Sequence, residues 1–352
     1  MGSLQTVLPF KLAATDESLT AHGGLALFGE YLRAMGVCAL IDHELPSPGS
    51  AAGYDPSVHV LPLVLMLAGG GRMLEDLRVL RNDAGLRSLL QLDDMPSSDA
   101  TGDWLRRMGA QESGAQESAG LAGLQRVNRS VFRRLLRQDD HASYTLDILG
   151  SIARGPATQI VAEKREAHYT YKGEKGYMPM VGHIAELGLV IGHEFREGNA
   201  APAARNLEFM QVCESNMPKG KKIAAIRADS AAYQAAIFNW CEATGKVFAI
   251  GADQDSAVKE EIKVIPEGEW KKFRDGELAE TVHSMNKTNK AFRLLVMRRP
   301  RDQDLFEEKS PWRYHVVASN REGEDAQATM EWYSKRGDAS ENRISPRAVT
   351  RG

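Results

Sequence analysis

The chain has 352 residues, 43% hydrophobic and 26% charged, with a formal net charge of −3. That length allows two or three domains and a sizeable buried core, so folding requires neither a structural metal nor disulfides. The near-neutral charge excludes a histone-like or polybasic protein, yet leaves room for a local basic face that binds nucleic acid.

Cys38, Cys213 and Cys241 are odd in number and widely spaced, which gives neither a zinc-type CxxC pair nor a disulfide framework. The N-terminal MGSLQTVLPFKLAATDE has no continuous apolar stretch after a basic start, and the longest apolar run, Val58–Ala68, is too short to span a bilayer and contains Pro62. A cytoplasmic protein with no membrane partner is expected.

The first part of the chain reads as helical. Leu25, Leu27, Phe28, Tyr31 and Leu32 fall close to helical spacing within 19–35, and Leu74, Leu77, Leu80 and Leu86 continue the pattern within 58–92. A further helix starts in PSSDATGDWLRRM, where Ser97, Ser98, Asp99 and Thr101 offer N-caps. Next comes a basic helix, Gln125–Gln138, with Arg126, Arg129, Arg133, Arg134 and Arg137. Just before it, GAQES occurs twice in succession, a direct repeat too short to build a solenoid.

From about His141 short β-branched or apolar runs take over: Tyr144–Leu149, Leu187–Glu194, Lys222–Ala228, Lys246–Gly251, Phe292–Arg298 and Tyr314–Ala318. Helices are expected at Ser230–Thr244 and about Asp325–Arg336. This is the pattern of a mixed α/β domain. A strand-rich stretch, 264–313, carries Trp270, Lys271, Lys272, Arg274, Arg293, Arg298 and Arg299, and reads as a β insertion with a basic surface.

Three acids are candidates for chemistry. Asp229 ends the buried-strand run KIAAIRAD, a position from which a carboxylate can project into a crevice; capping of the following helix by Asp229 or Ser230 is the plainer alternative. Asp147 lies in SYTLDIL, where a structural hydrogen-bonding role is the alternative. Glu341 follows Tyr333 and Arg336 in MEWYSKRGDASENRI, where the charges also suit a solvated helix face. Together, three carboxylates from separate elements can gather two divalent cations for phosphodiester chemistry, and oxygen donors favour Mg²⁺ or Mn²⁺. No phosphate loop, GxSxG elbow or HExxH competes: the Gly69–Gly71 triplet lacks the Lys-Ser/Thr, and His168, His183 and His193 have no motif spacing.

The tracts HYTYKGEKGYMPMVGHIAELGLVIGHEFREGNAAPAARN (168–206), KIAAIRADSAAYQAAIFNWCE and VFAIGADQDSAV resemble bacterial insertion-sequence transposases of the Asp-Asp-Glu type. LPFKLAATDESLTAHGGLALFGEYL and GGGRMLEDLRVLRND are similar to the same group, so the resemblance runs from about Leu8 to Ile344. It implies an RNase H-like catalytic core with a β-rich insertion at about 255–322, preceded by a mainly helical DNA-binding domain over 1–140. It implies Asp229 as the second metal-binding carboxylate and Glu341 as the third. Tyr333 and Arg336 are implied as contacts to DNA phosphate, which suits the planar fork of arginine. The implied partners are double-stranded DNA, as element inverted repeats and target, and a second copy of the chain; the implied location is the nucleoid when DNA is bound.

Two departures bear on activity. The family's first-strand motif resembles LDIDAT, whereas this chain reads Leu146-Asp147-Ile148 and then LGSIARGPAT, with Leu149 where the motif's second Asp, its implied metal ligand, belongs. Strand alternation puts Asp147 on the face of that missing ligand, displaced by roughly 7 Å. The resemblance also implies a basic helix after ENRI, whereas this chain reads SPRAVTRG, with Ala348 for the motif's Lys and a helix-breaking Pro346; a C-terminal truncation is expected. Three readings follow: a transposase that cuts and joins DNA, a DNA-binding remnant without catalysis, and a nuclease that cuts without joining.

Overall fold

The computed structural model describes residues 15–50, 53–92, 94–111, 117–150, 167–171, 173–301 and 311–344, with backbone alone for 149–150 and 337–344. The SIARGPAT stretch after the first strand (151–158), residues 112–116 of the GAQES repeat, and Pro346 and Ala348 lie outside the described residues. The chain divides into two compact units, Met1–Val131 and Phe132–Gly352. The change of texture near His141 marks the start of the first strand.

The first unit is helical, with α1 (Gly23–Ala34), α2 (Val37–Glu44), α3 (Pro56–Ala68), α4 (Leu77–Asn82), α5 (Ala84–Leu89) and α6 (Ser98–Met108). The periodic run at 19–35 yields α1 but stops short of α2, because Gly36 takes the left-handed region at φ +68° and turns the chain. The run at 58–92 is cut twice. Gly70 adopts φ +91° after α3, and Asp83 closes α4 and caps α5 by accepting the Leu86 N–H at 2.8 Å. Of the four cap candidates before α6, Ser97 serves, accepting the Ala100 N–H at 3.1 Å. Leu61, Leu65, Leu77, Leu80, Leu86 and Leu90 form the main core of this unit. Helix α7 (Ala119–Gln138) follows; its Val127 packs with Ile41, Leu45 and Trp104, while Phe132 and Leu136 belong to the core of the second unit.

The second unit is built on a nine-stranded mixed sheet in the order β5-β4-β1-β6-β7-β11-β10-β9-β8. These strands are β1 (Ser143–Gly150), β4 (Met180–Ile184), β5 (Leu189–Glu194), β6 (Lys222–Ala228), β7 (Val247–Gly251), β8 (Lys271–Phe273), β9 (Gly276–His283), β10 (Phe292–Pro300) and β11 (Trp312–Ser319); β2 (His168–Tyr169) and β3 (Lys175–Gly176) form a separate small ribbon. β1, β4 and β5 are antiparallel neighbours, and β6 and β7 run parallel to β1. That arrangement, with helices on the sheet, bears out the RNase H-like expectation. β11, β10, β9 and β8 extend the same sheet beyond β7 as an antiparallel meander. After β7 the chain first forms a helix, α10 (Ser256–Lys263), and the next strand begins only at Lys271.

Helices α8 (Asn206–Asn216), α9 (Ala235–Ala243), α10 and α11 (Ala326–Ile344) complete the described residues of this unit. Tyr144, Leu146, Ile148, Ile226, Phe238 and Phe248 share one large core with Phe209, Met210 and Cys213 of α8. Gly182 of β4 and Gly192 of β5 face each other across the ladder beneath Cys213; a Cβ built on either would lie 2.7 or 2.5 Å from its Sγ. Glycine here is a packing requirement, since the helix sits directly on the strands. A second cluster, including Leu295, Val317, Met330 and Tyr333, involves α11. Among the described residues no single helix is long and apolar enough to cross a membrane.

Candidate active site

β6 ends at Ala228, and Asp229 follows with extended backbone (φ −77°, ψ −174°). Its carboxylate accepts the Ala231 N–H at 3.1 Å, so the capping role expected as an alternative is present, at a short 3₁₀ turn over Ser230–Ala232. The rest of the predicted helix starts later, at Ala235. Asp229 also lines a recess of about 390 Å³ together with Ile148, Met180, Arg196, Tyr233 and Asp253. The segment is stapled from outside: the Asn206 side chain donates to the Ala231 carbonyl at 2.9 Å, and Gln234 donates to the carbonyls of Ala203 and Ala231 at 2.9 Å. Arg196, itself buried, donates to the Ala204 carbonyl at 2.7 Å and to Glu194 at 3.0 Å, fixing the loop on the other wall.

Asp253 was not among the sequence candidates. It lies two residues beyond the end of β7, in GADQDSAV, so end-of-strand reasoning reaches it too. The two carboxylates give the recess hard oxygen donors of the kind Mg²⁺ and Mn²⁺ take. Among the described residues no group of three His, Cys, Asp or Glu converges on a point that could hold a metal. The described side chains thus do not make a two-metal centre by themselves.

Asp147 goes elsewhere. It is fully buried on β1, paired in register with Arg227 of β6, and its two oxygens accept from Arg227 Nε at 2.6 Å and NH2 at 2.7 Å. His183 Nε2 lies 3.6 Å from the same carboxylate. Ile148, and not Asp147, reaches the recess. The expectation of Asp147 as a catalytic, metal-binding carboxylate meets a physical obstacle: both its oxygens are taken by a buried guanidinium. The structural hydrogen-bonding role is the one that the geometry displays.

Helix α11 carries Tyr333, Arg336 and Glu341. The backbone of Glu341 is helical, and its side chain is outside the described residues. Tyr333 is buried, with its ring 5.7 Å from His315 and the Arg336 guanidinium 5.5 Å from its centroid. Gly251 is the last residue of β7: a Cβ there would lie 3.1 Å from the Tyr333 hydroxyl, 3.1 Å from Ser230 N and 3.4 Å from Asp229 C. Tyr333 and the Asp229–Ser230 peptide therefore both border the space beside Gly251. Arg227 ties the same helix to the sheet, since its NH1 donates to the Trp332 carbonyl at 2.6 Å.

The α7 arginines divide. Arg126 donates to the Glu44 carboxylate at 2.6 Å and to its carbonyl at 2.8 Å. Arg133 donates to the Asn216 carbonyl at 2.8 Å and to that of Ser215 at 3.2 Å, closing the end of α8. Arg129 is partly buried, whereas Arg134 and Arg137 are exposed. On β10, Arg298 is buried between Trp270 and Trp312, 4.1 and 4.4 Å from their centroids, and is paired with Glu267 and Glu277. This arginine belongs to the interior, not to the basic surface expected from sequence.

No curated protein matches the chain. The family model described as the transposase DDE domain, group 1, matches residues 6–348, nearly the full length. Members of this family are DNA transposases that use divalent metal ions. With Asp229 at the end of a central strand of an RNase H-like sheet, and with this match spanning both units, the chain belongs to the DDE transposase family.

Proposed function

We propose that this protein binds the inverted-repeat ends of an insertion element, cuts the DNA there and joins the exposed 3′-hydroxyls to target DNA. The observation carrying this reading is Asp229, set at the end of a central strand in a recess whose walls are fixed by Asn206, Gln234 and Arg196. Asp229 and Glu341 are the carboxylates that would hold Mg²⁺ or Mn²⁺; Asp147 is left out of that set because Arg227 occupies it. A divalent ion bound there would polarise the phosphodiester and favour the attacking oxygen. Tyr333 and Arg336 serve as phosphate contacts. On α7 the exposed Arg134 and Arg137 are the DNA-facing pair, with Arg129 at their edge; Arg126 and Arg133 hold the fold together. Two copies act on paired ends.

The engagement of Asp147 by Arg227 favours a second reading, a DNA-binding remnant without catalysis. One experiment separates them: cleavage of a labelled inverted-repeat duplex in Mg²⁺ or Mn²⁺, with Asp229→Ala as control. Cutting and joining lost in the variant support the transposase. Equal inactivity of both proteins on DNA they bind well leaves the remnant. Cutting without joining identifies a nuclease.

A further inference from the structure

The Asp229 carboxylate is held through Ala231. Its Oδ1 accepts the Ala231 N–H at 3.1 Å, and the carbonyl of the same alanine accepts from Asn206 Nδ2 and from Gln234 Nε2, each at 2.9 Å. The place of Ala231 therefore sets the direction in which the carboxylate faces the recess.

Asn206 stands at Ala231 at a local cost. Asparagine near a helix start is most favoured as the N-cap, where its side chain bonds the first N–H groups of its own helix. Here Arg205 holds the cap position of α8 and makes no side-chain cap bond. It does so at φ +56°, ψ 25°, a left-handed conformation that a non-glycine residue adopts at a cost. Asn206 follows as the first residue of α8, 2% exposed, and its amide reaches away from the helix. Arg196 NH1 donates to its Oδ1 at 3.4 Å, while its Nδ2 reaches Ala231, 25 residues further on. A guanidinium on one side and a carbonyl on the other allow the amide one orientation only. Arg196 is itself fixed by the Ala204 carbonyl at 2.7 Å and Glu194 at 3.0 Å. Departures from local preference of this kind collect at functional sites.

We propose that Asn206 is a positioning residue for the reaction: acting through Ala231 it aims the Asp229 carboxylate, and Arg196 fixes the amide that does so. The inference rests on the reading of Asp229 as a carboxylate that would hold a divalent ion. Groups that orient a metal ligand typically account for 10–100-fold in metal affinity or activity.

Asn206→Asp tests it. The substitution keeps the shape, and a negative charge beside Arg196 at the start of α8 is well placed, so the melting temperature should stay near that of the wild type. It removes the donor and sets an oxygen against the Ala231 carbonyl. Titration with Mn²⁺, followed by the paramagnetic signal of the free ion, should show roughly tenfold weaker binding. In cleavage of an inverted-repeat duplex, kcat should fall by at least as much with KM unchanged, and amide exchange should quicken around 229–234. Gln234→Ala removes the other donor to the Ala231 carbonyl without touching α8, and should weaken Mn²⁺ binding in the same direction. A merely structural asparagine would give a lower melting temperature with Mn²⁺ affinity and kcat unchanged, which overturns the proposal. Wild-type Mn²⁺ affinity in both variants, where Asp229→Ala abolishes binding, overturns the positioning role alone. Mn²⁺ binding that is absent, or indifferent to Asp229→Ala, overturns the reading of Asp229 and this inference with it.

Discussion

Arg227 grips Asp147 through two parallel bonds, Nε to Oδ1 at 2.6 Å and NH2 to Oδ2 at 2.7 Å, while its NH1 donates to the Trp332 carbonyl. One guanidinium thus joins β1, β6 and α11. Both charges are buried, so removing one partner leaves the other unpaired, which typically costs about 3–5 kcal/mol. Asp147→Ala should therefore lose stability on that scale in urea unfolding. Asp147→Leu combined with Arg227→Met should recover much of the loss, because replacing both charges leaves none stranded. If Asp147→Ala unfolds like wild type, the pair is not what holds these elements.

Gly251 borders both the Tyr333 hydroxyl and the Asp229–Ser230 peptide. A Cβ at 3.1 Å from both the Tyr333 hydroxyl and Ser230 N is tight, and something must give by a few tenths of an ångström. Gly251→Ala should cost about 1 kcal/mol. In a Tyr333→Phe background, where the hydroxyl is gone, the same substitution should cost less. A double-mutant cycle in chemical denaturation measures that coupling. Additive costs would mean that the two residues do not meet.

The strands and their order show how far the sequence reaches. The run KIAAIRAD becomes β6 with its predicted bounds, its Ile223, Ile226 and Ala228 buried as a core strand requires and Arg227 the one buried charge, held by Asp147. Asp229 was legible for the same reason, as the polar residue that ends it. Strands β8 and β9 and helix α8 were not read as elements. β9 mixes Glu277, Glu280 and Thr281 into its register, and α8 carries Glu208, Gln211, Glu214 and Ser215 around its buried Phe209 and Cys213. Asp147 was legible as an unusual strand acid, but its partner was not. Arg227 is 80 residues away, and only the β1–β6 register sets the two side by side. The link from Asn206 to Asp229 was hidden in the same way, because Ala231, which joins them, lies 25 residues beyond Asn206.

The paired glycines beneath Cys213 give a sharper test of packing. Gly192→Ala would place a methyl 2.5 Å from Sγ, with its next neighbour at an ordinary 3.6 Å. Gly182→Ala would lie 2.7 Å from Sγ and also 3.3 Å from both Leu146 and Phe209. Each should destabilise by about 1–3 kcal/mol through overpacking. Cys213→Ala removes the sulfur, so it should rescue Gly192→Ala well and Gly182→Ala only in part. Burial pushes the Cys213 thiol up to about 12, so it stays neutral and slow to react with thiol reagents in the native state. Equal rescue of the two variants would show that Leu146 and Phe209 yield freely.

The pH dependence of stability follows from two histidines held neutral. Burial, then Arg107, lowers His59, whose ring stacks on Trp104 at 4.8 Å; burial, then Arg299 and Arg336, lowers His315. Each binds its proton less tightly folded than unfolded, where the ordinary value is about 6.5. The unfolded chain therefore takes up more protons below that pH, and stability rises with pH through the window. Stability from these two residues is complete above about pH 6.5 and declines as pH falls through the folded values. A separate loss in the more acidic range is expected from Asp76, held low by the Arg72 and Met73 N–H groups, and from Asp139, held low chiefly by the Tyr144 hydroxyl. Urea midpoints between pH 5 and 8 should thus fall on the acid side, and a His59→Asn, His315→Gln double variant should flatten that slope. An unchanged slope in the double variant would place the proton uptake on other groups.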